Sequence, residues 1–230
     1  MIRNAPRASG SSLDVFEGIT IFSFIAKKLS PSRERSSELS LFPLAATLFP
    51  GGRVALRVFE QRYYELAKSC VANGEGFGIV TLNAGNEVGT NQSFARVGTA
   101  VSIQSFDAPE PNIFVLDVVG EQRFEIVESR VRSNGLHIAR VRWLPPEARV
   151  AVRAEHAPLV ALLRPVVEAL GESRFAEPYE LDDATWVGSR LTEILQMPRA
   201  IKQSLLEIND AELRLKTLAQ LVARGSAAAA

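Results

Sequence analysis

Two hydrophobic periods divide the chain. From Glu38 to about Pro146 apolar residues recur at every second position, and beyond Pro145-Pro146 they recur at intervals of three and four. In the first part, Leu39, Leu41 and Pro43 open a short strand, with Pro43 suited to an edge or a strand end because it donates no hydrogen bond. Pro50-Gly51-Gly52 reads as a type II turn, in which Pro fixes φ and the following Gly takes the positive φ. Val54, Leu56 and Val58 then alternate with Arg53, Ala55 and Arg57 as a half-buried strand. The period changes between Glu60 and Ala72, where Tyr63, Leu66, Ala67, Cys70 and Val71 fall on one helical face and Asn73-Gly74 supplies the stop. Strands resume at Phe77–Leu82, followed by a polar loop over 83–94 and an alternating run through Val97, Thr99, Val101 and Ile103. Pro109 and Pro111 break the chain before Ile113–Val119, and Gly120 separates that run from Arg123–Glu128.

Charge placement selects a register for the next hairpin. A two-residue Asn134-Gly135 turn would bring Arg130 and Arg132 onto the face of Ala139, Val141 and Trp143. A three-residue loop over Ser133, Asn134 and Gly135, with Gly135 left-handed, instead groups Val127, Val131, Ala139, Val141 and Trp143 on the core side. That register sends Arg130, Arg132, Arg140 and Arg142 to the other face, with Glu128 opposite Arg140, and is preferred for separating charge from core.

The rest is helical. Residues 154–170 carry Leu159, Leu162, Leu163, Val166, Val167 and Leu170, and 171–181 form a polar linker. Asp182-Asp183 caps a helix containing Trp186, Val187, Leu191, Ile194 and Leu195. Met197-Pro198 interrupts it, Leu205, Leu206 and Ile208 follow, and Asn209-Asp210 caps a last helix with Leu213, Leu215, Leu218, Leu221 and Val222. The organisation expected is an extension over 1–37, a β domain over 38–147, a helical bundle over 148–224 and a frayed tail over 225–230. In the extension, the apolar run 18–26 follows Asp14 and Glu17 and precedes Lys27-Lys28, a charge order opposite to that of a secretory signal.

Composition narrows the chemistry. Lysine plus arginine and aspartate plus glutamate both number 26, so net charge gives no reason to expect nucleic acid or an acidic membrane as partner. Cys70 is the single cysteine, which excludes an internal disulfide and a Cys-based zinc site and suits a reducing, cytoplasmic setting. His137 and His156 are the only histidines, no apolar run approaches the length of a membrane helix, and Gly is never followed by Lys, so no phosphate-binding P-loop exists. No catalytic constellation, cofactor or metal site is expected.

Several short strings nevertheless occur in a telling order: Leu41-Phe42-Pro43-Leu44, Leu48-Phe49-Pro50-Gly51, Phe59-Glu60-Gln61-Arg62-Tyr63, Phe77-Gly78-Ile79-Val80, Val97-Gly98-Thr99-Ala100, and Gly120-Glu121-Gln122-Arg123-Phe124. With Lys202-Gln203-Ser204-Leu205-Leu206-Glu207, Asp210 and Arg214-Leu215, they resemble the Lon N-terminal domain family over about residues 39–223. The resemblance implies an α+β fold: a PUA-like β pseudobarrel with one inserted helix, followed by a small C-terminal helical bundle. It implies a stand-alone, non-enzymatic substrate-recognition module for apolar or misfolded polypeptide segments, without the family's ATPase and peptidase modules. The alternatives are an RNA-binding PUA-like domain or a small-molecule sensor with a barrel pocket. Phe42, Leu48, Phe49 and Phe59 are the candidate peptide-binding residues, set against a plain role in packing. Glu60 and Arg62 are a candidate structural or ligand-binding polar pair, although at two positions apart on a helix they would not face each other. Arg130, Arg132, Arg140 and Arg142 are candidate anion contacts, set against a solvated charged face.

Overall fold

The computed structural model describes residues 38–84, 87, 89 and 92–228. The expectations for residues 1–37, for the middle of the 83–94 loop and for the final residues of the tail lie outside the described residues. Strands β1 (Glu38–Leu44), β2 (Arg53–Val58), β3 (Phe77–Ala84), β4 (Ser93–Glu110), β5 (Ile113–Val131) and β6 (His137–Trp143) form one sheet, with helix α1 (Gln61–Asn73) between β2 and β3. Helices α2 (Ala157–Leu170), α3 (Ala184–Ile194), α4 (Arg199–Glu207) and α5 (Ala211–Ala228) follow. The strand order is β2-β5-β4-β3-β1-β6, and β6 also pairs with β5. Five strands therefore close into a ring, and β2 stands outside it on the first half of β5. The ring closes because β4 and β5 bend through bulges as they pass from one set of partners to the next.

Strand β1 changes neighbours midway. Glu38–Ser40 pair antiparallel with β6, whereas Leu41–Leu44 pair parallel with β3. Pro43 thus lies where β6 has already ended, so its missing donor breaks no ladder on that side. The parallel β1–β3 pairing needs a crossover, which β2 and α1 provide.

Three sequence expectations shift. Gly120 does not separate two strands but lies inside a continuous 19-residue β5. Its role is close approach, since a Cβ there would stand 2.2 Å from the carbonyl oxygen of Phe49. The β5–β6 loop follows the predicted form, with Gly135 at φ 83° and Glu128 opposite Arg140. A bulge between Ile126 and Glu128, however, gives the inward position to Ile126, leaving Val127 and Val131 exposed. In the helices the buried stripe of α2 is Leu159, Leu163 and Val167, while Leu162, Leu170 and Leu213 face out, and α5 continues past Gly225 to Ala228. Among the described residues no helix is long and apolar enough to cross a membrane.

Barrel and bundle meet at the turn after β1. Phe49, fully buried, packs in the bundle core with Leu163, Phe175, Trp186 and Leu191. Its N–H donates to Glu193 Oε1 (2.9 Å), and Arg190 Nη2 donates to Pro50 O (2.7 Å). Gly51, at φ 73°, completes the predicted turn, with Gly52 N donating to Phe49 O (3.0 Å). Gly51 N donates to Gly120 O (2.7 Å) and Gly120 N to Gly52 O (2.8 Å), so the turn runs into a glycine bulge that starts the β2–β5 ladder. A second joint is ionic: buried Arg123 and Arg214 share Glu147 at 3.0 and 2.8 Å. Arg123 Nη1 also donates to Leu206 O (2.6 Å) and Nη2 to Asn209 Oδ1 (2.7 Å).

Gly120→Ala is expected to lower stability by about 3 kcal/mol, because the only relief is to push Phe49 out of its seat; a shift of the urea midpoint reads this. A second expectation concerns alkali. Burial pushes the Cys70 thiol from 9.0 up to about 11, and burial likewise pushes Tyr63 from 10.0 up to about 12. Both hold their protons more tightly when folded, so their contribution is complete below about pH 9 and is lost as pH rises through those folded values. Urea midpoints should fall from pH 9 to 11, and less steeply in Cys70→Ala.

Candidate functional site

An open cleft of about 300 Å³ lies between the end of β1, residues Ala55–Val58 of β2 and the start of α1. Each wall follows from local chemistry. β2 lends Leu56 and Val58, its inward alternate residues; β1 lends Phe42 and Leu44 from the half that β6 does not cover. Tyr63 comes from the first turn of α1, and its ring lies 4.4 Å from that of Phe42. Phe59, between β2 and α1, is 55% exposed at the mouth. The charged rim comprises Arg57, Glu60 and Glu87.

Of the four candidate peptide contacts, the structure brings Phe42 and Phe59 to this cleft. Leu48 packs in the barrel core and Phe49 in the bundle core, so neither lines it. Glu60 and Arg62 do meet, at 3.1 Å, contrary to the helical-spacing argument. Glu60 is the N-cap, with an extended backbone (φ −73°, ψ 135°), so helical geometry does not govern the pair. The buried guanidinium of Arg62 donates to Gly135 O (2.8 Å) in the β5–β6 turn and to Gly89 O in the β3–β4 loop, and lies 4.5 Å from the centre of the Tyr63 ring. Glu60 Oε2 accepts from Gly89 N (3.4 Å), and Glu87 Oε1 accepts from Ala45 N (2.5 Å). The pair therefore holds the backbone of Gly89, two residues from Glu87 on the cleft rim.

The arginine stripe is largely neutralised. Arg130 pairs with Glu38 (2.9 Å), Arg140 with Glu128 (3.4 Å) and Arg142 with Glu125, all on exposed surface. His137 is buried edge-on against Phe94, where burial and the charge of Arg62 lower its pKa. His156 Nε2 lies 3.2 Å from Glu212 Oε2 and 3.7 Å from Glu155, but Arg153 Nε approaches the same Glu212 at 3.5 Å. This group is an ion-pair cluster in which an arginine already supplies the positive charge.

Sequence reasoning missed Leu44, Leu56, Val58, Tyr63 and Glu87 as cleft residues. Leu56, Val58 and Tyr63 were legible as inward positions, whereas Leu44 falls on the opposite parity to Leu39, Leu41 and Pro43 and was not. Glu87 sits in a Gly/Asn-rich loop without periodicity, and nothing in its neighbours marks it.

Residues 38–224 match the family of the ATP-dependent protease La (LON) substrate-binding domain. A crystal structure of a Lon N-terminal domain protein from Xanthomonas campestris is 36% identical, with a TM-score of 0.65, covering 80% of this chain and 97% of that one. The N-terminal domain of a Mycobacterium avium complex Lon protease shares the fold at 15% identity and a TM-score of 0.53, covering 79% of this chain and 95% of that one. The chain belongs to the Lon substrate-binding domain family.

Proposed function

We propose that this protein is a binding module that recognises apolar or misfolded polypeptide segments in the cleft between β1 and β2, acting by capture and carrying out no reaction of its own. The observation that carries the reading is Phe59, a large aromatic side chain 55% exposed at the mouth of a cleft walled by Phe42, Leu44, Leu56, Val58 and Tyr63. Concave apolar surface with a few polar groups at its edge is what a ligand-binding site requires. Membership of a substrate-binding family makes polypeptide the first ligand class to test. The ion-paired arginine stripe offers RNA less free positive charge than its sequence suggests.

Fluorescence anisotropy with a reduced, carboxymethylated and therefore permanently unfolded protein tests this. Phe59→Glu should weaken binding by about tenfold, equivalent to about 1.4 kcal/mol. Leu213→Glu, placed on the exposed face of α5, should leave it unchanged. Equal binding by wild type and Phe59→Glu would overturn the reading.

A further inference from the structure

The mode of capture can be read from the backbone of β2. In an antiparallel ladder, residues alternate between those that bond to the partner strand and those whose N–H and C=O point the other way. Gly120 N donates to Gly52 O, and the register continues Arg53↔Val119 through Val58↔Phe114. Val54, Leu56 and Val58 are therefore the residues that bond to β5, while Arg53, Ala55 and Arg57 direct their backbone groups to the outer edge. That edge lines the cleft from Ala55 to Val58. At the start of the strand that edge is met by Phe175, which forms an antiparallel bridge with Gly52. The outward groups of Ala55 and Arg57 lie beyond that bridge.

We infer that an extended polypeptide segment binds by adding as a strand to the outer edge of β2, antiparallel to it and in line with the Gly52–Phe175 bridge. The inference rests on the polypeptide reading above. Three features fix the occupant. The donors and acceptors of Ala55 and Arg57 repeat at two-residue spacing, about 7 Å, a pattern that another extended backbone matches. Side chains of the added strand would alternate between the apolar wall of Phe42, Leu44 and Tyr63 and solvent, which calls for apolar residues at every second position. An antiparallel segment would place its N-terminal end beside Glu60 and Glu87. Arg62 compensates Glu60, whereas Glu87 has no ion-pair partner among the described residues and lines the cleft as an acidic group. A lysine or arginine at the N-terminal end complements it. The edge is short and carries Arg53 and Arg57, charges of the kind that discourage open-ended pairing between copies of a chain.

The probe is a fluorescein-labelled, N-acetylated peptide Lys-Val-Thr-Val-Thr-Val amide, with two versions carrying backbone N-methyl groups on alternate residues in opposite phase. One phase blocks the groups that would face β2 and the other blocks groups that face away. Binding should be lost in one phase, by at least about tenfold, and kept within about twofold in the other. Equal loss or equal retention in both phases overturns strand addition while leaving polypeptide binding intact. Failure of the unmodified peptide and of the unfolded protein alike sinks both readings. Ala55→Pro removes one outward N–H without touching the β5 ladder, and should reproduce the loss at an unchanged melting temperature. Glu87→Gln should weaken binding and flatten its salt dependence; an unchanged salt dependence overturns the assigned direction.

Discussion

The five residues Leu48 to Gly52 are gripped from both sides, and the positions of β2, α1 and the cleft follow from that grip. Thr99 Oγ1 donates to Leu48 O (2.6 Å) from the barrel, while Glu193 and Arg190 hold Phe49 and Pro50 from the bundle. Gly120 lets β5 come close enough to trade backbone bonds with Gly51 and Gly52. Because the glycine bulge sets the first pair of the β2–β5 ladder, it also decides which face of β2 is buried and which backbone groups look outward. A residue with a side chain at position 120, or one that resists positive φ at 51, would disturb the cleft from a distance, through the strand that forms its wall.

Charged groups reinforce this joint at some cost. Burial pushes the Glu193 carboxyl up and the Arg190 guanidinium down, so loss of water outweighs their mutual attraction. Arg123, Glu147 and Arg214 are similarly buried, yet carbonyls of Leu205, Leu206 and Ile208 and the side chain of Asn209 accept their remaining donors. Such an arrangement contributes less net stability than specificity. An apolar replacement at one member would strand the others, and a mis-docked bundle would bury charge without acceptors.

Much of the fold was legible in the sequence because periodicity and capping are local signals. The three-residue loop at Ser133–Gly135 and the Asp183 cap, whose side chain accepts from Thr185 N, both form as chain-local chemistry requires. What escaped were features decided by a distant partner. Phe42 and Phe49 sit in the same three-residue motif, Leu-Phe-Pro, yet one lines the cleft and the other enters the bundle core; the difference lies in what packs above each. Gly120 read as a break between two strands, and only the position of Phe49 shows it to be a close approach inside one. Arg62 was set two positions from Glu60, a spacing at which a helix would not join them, yet the two meet, and Arg62 also bonds carbonyls of two loops 27 and 73 residues further along the chain. The candidate site was legible as inward residues and hidden as a space, since a gap depends on where β6 stops.

The ionic joint and the apolar cores beside it respond to cooling in the same direction. Hydration of charge becomes less favourable on warming, so keeping Arg123, Glu147, Arg214, Arg190 and Glu193 dry costs less at high temperature. Apolar packing, for a separate reason, also weakens on cooling. On cooling, therefore, the penalty at the joint rises while the barrel and bundle cores lose driving force, and both changes act on the same seam around Phe49. Low temperature, more than moderate heat, is the condition under which the bundle's hold on the barrel is most readily loosened.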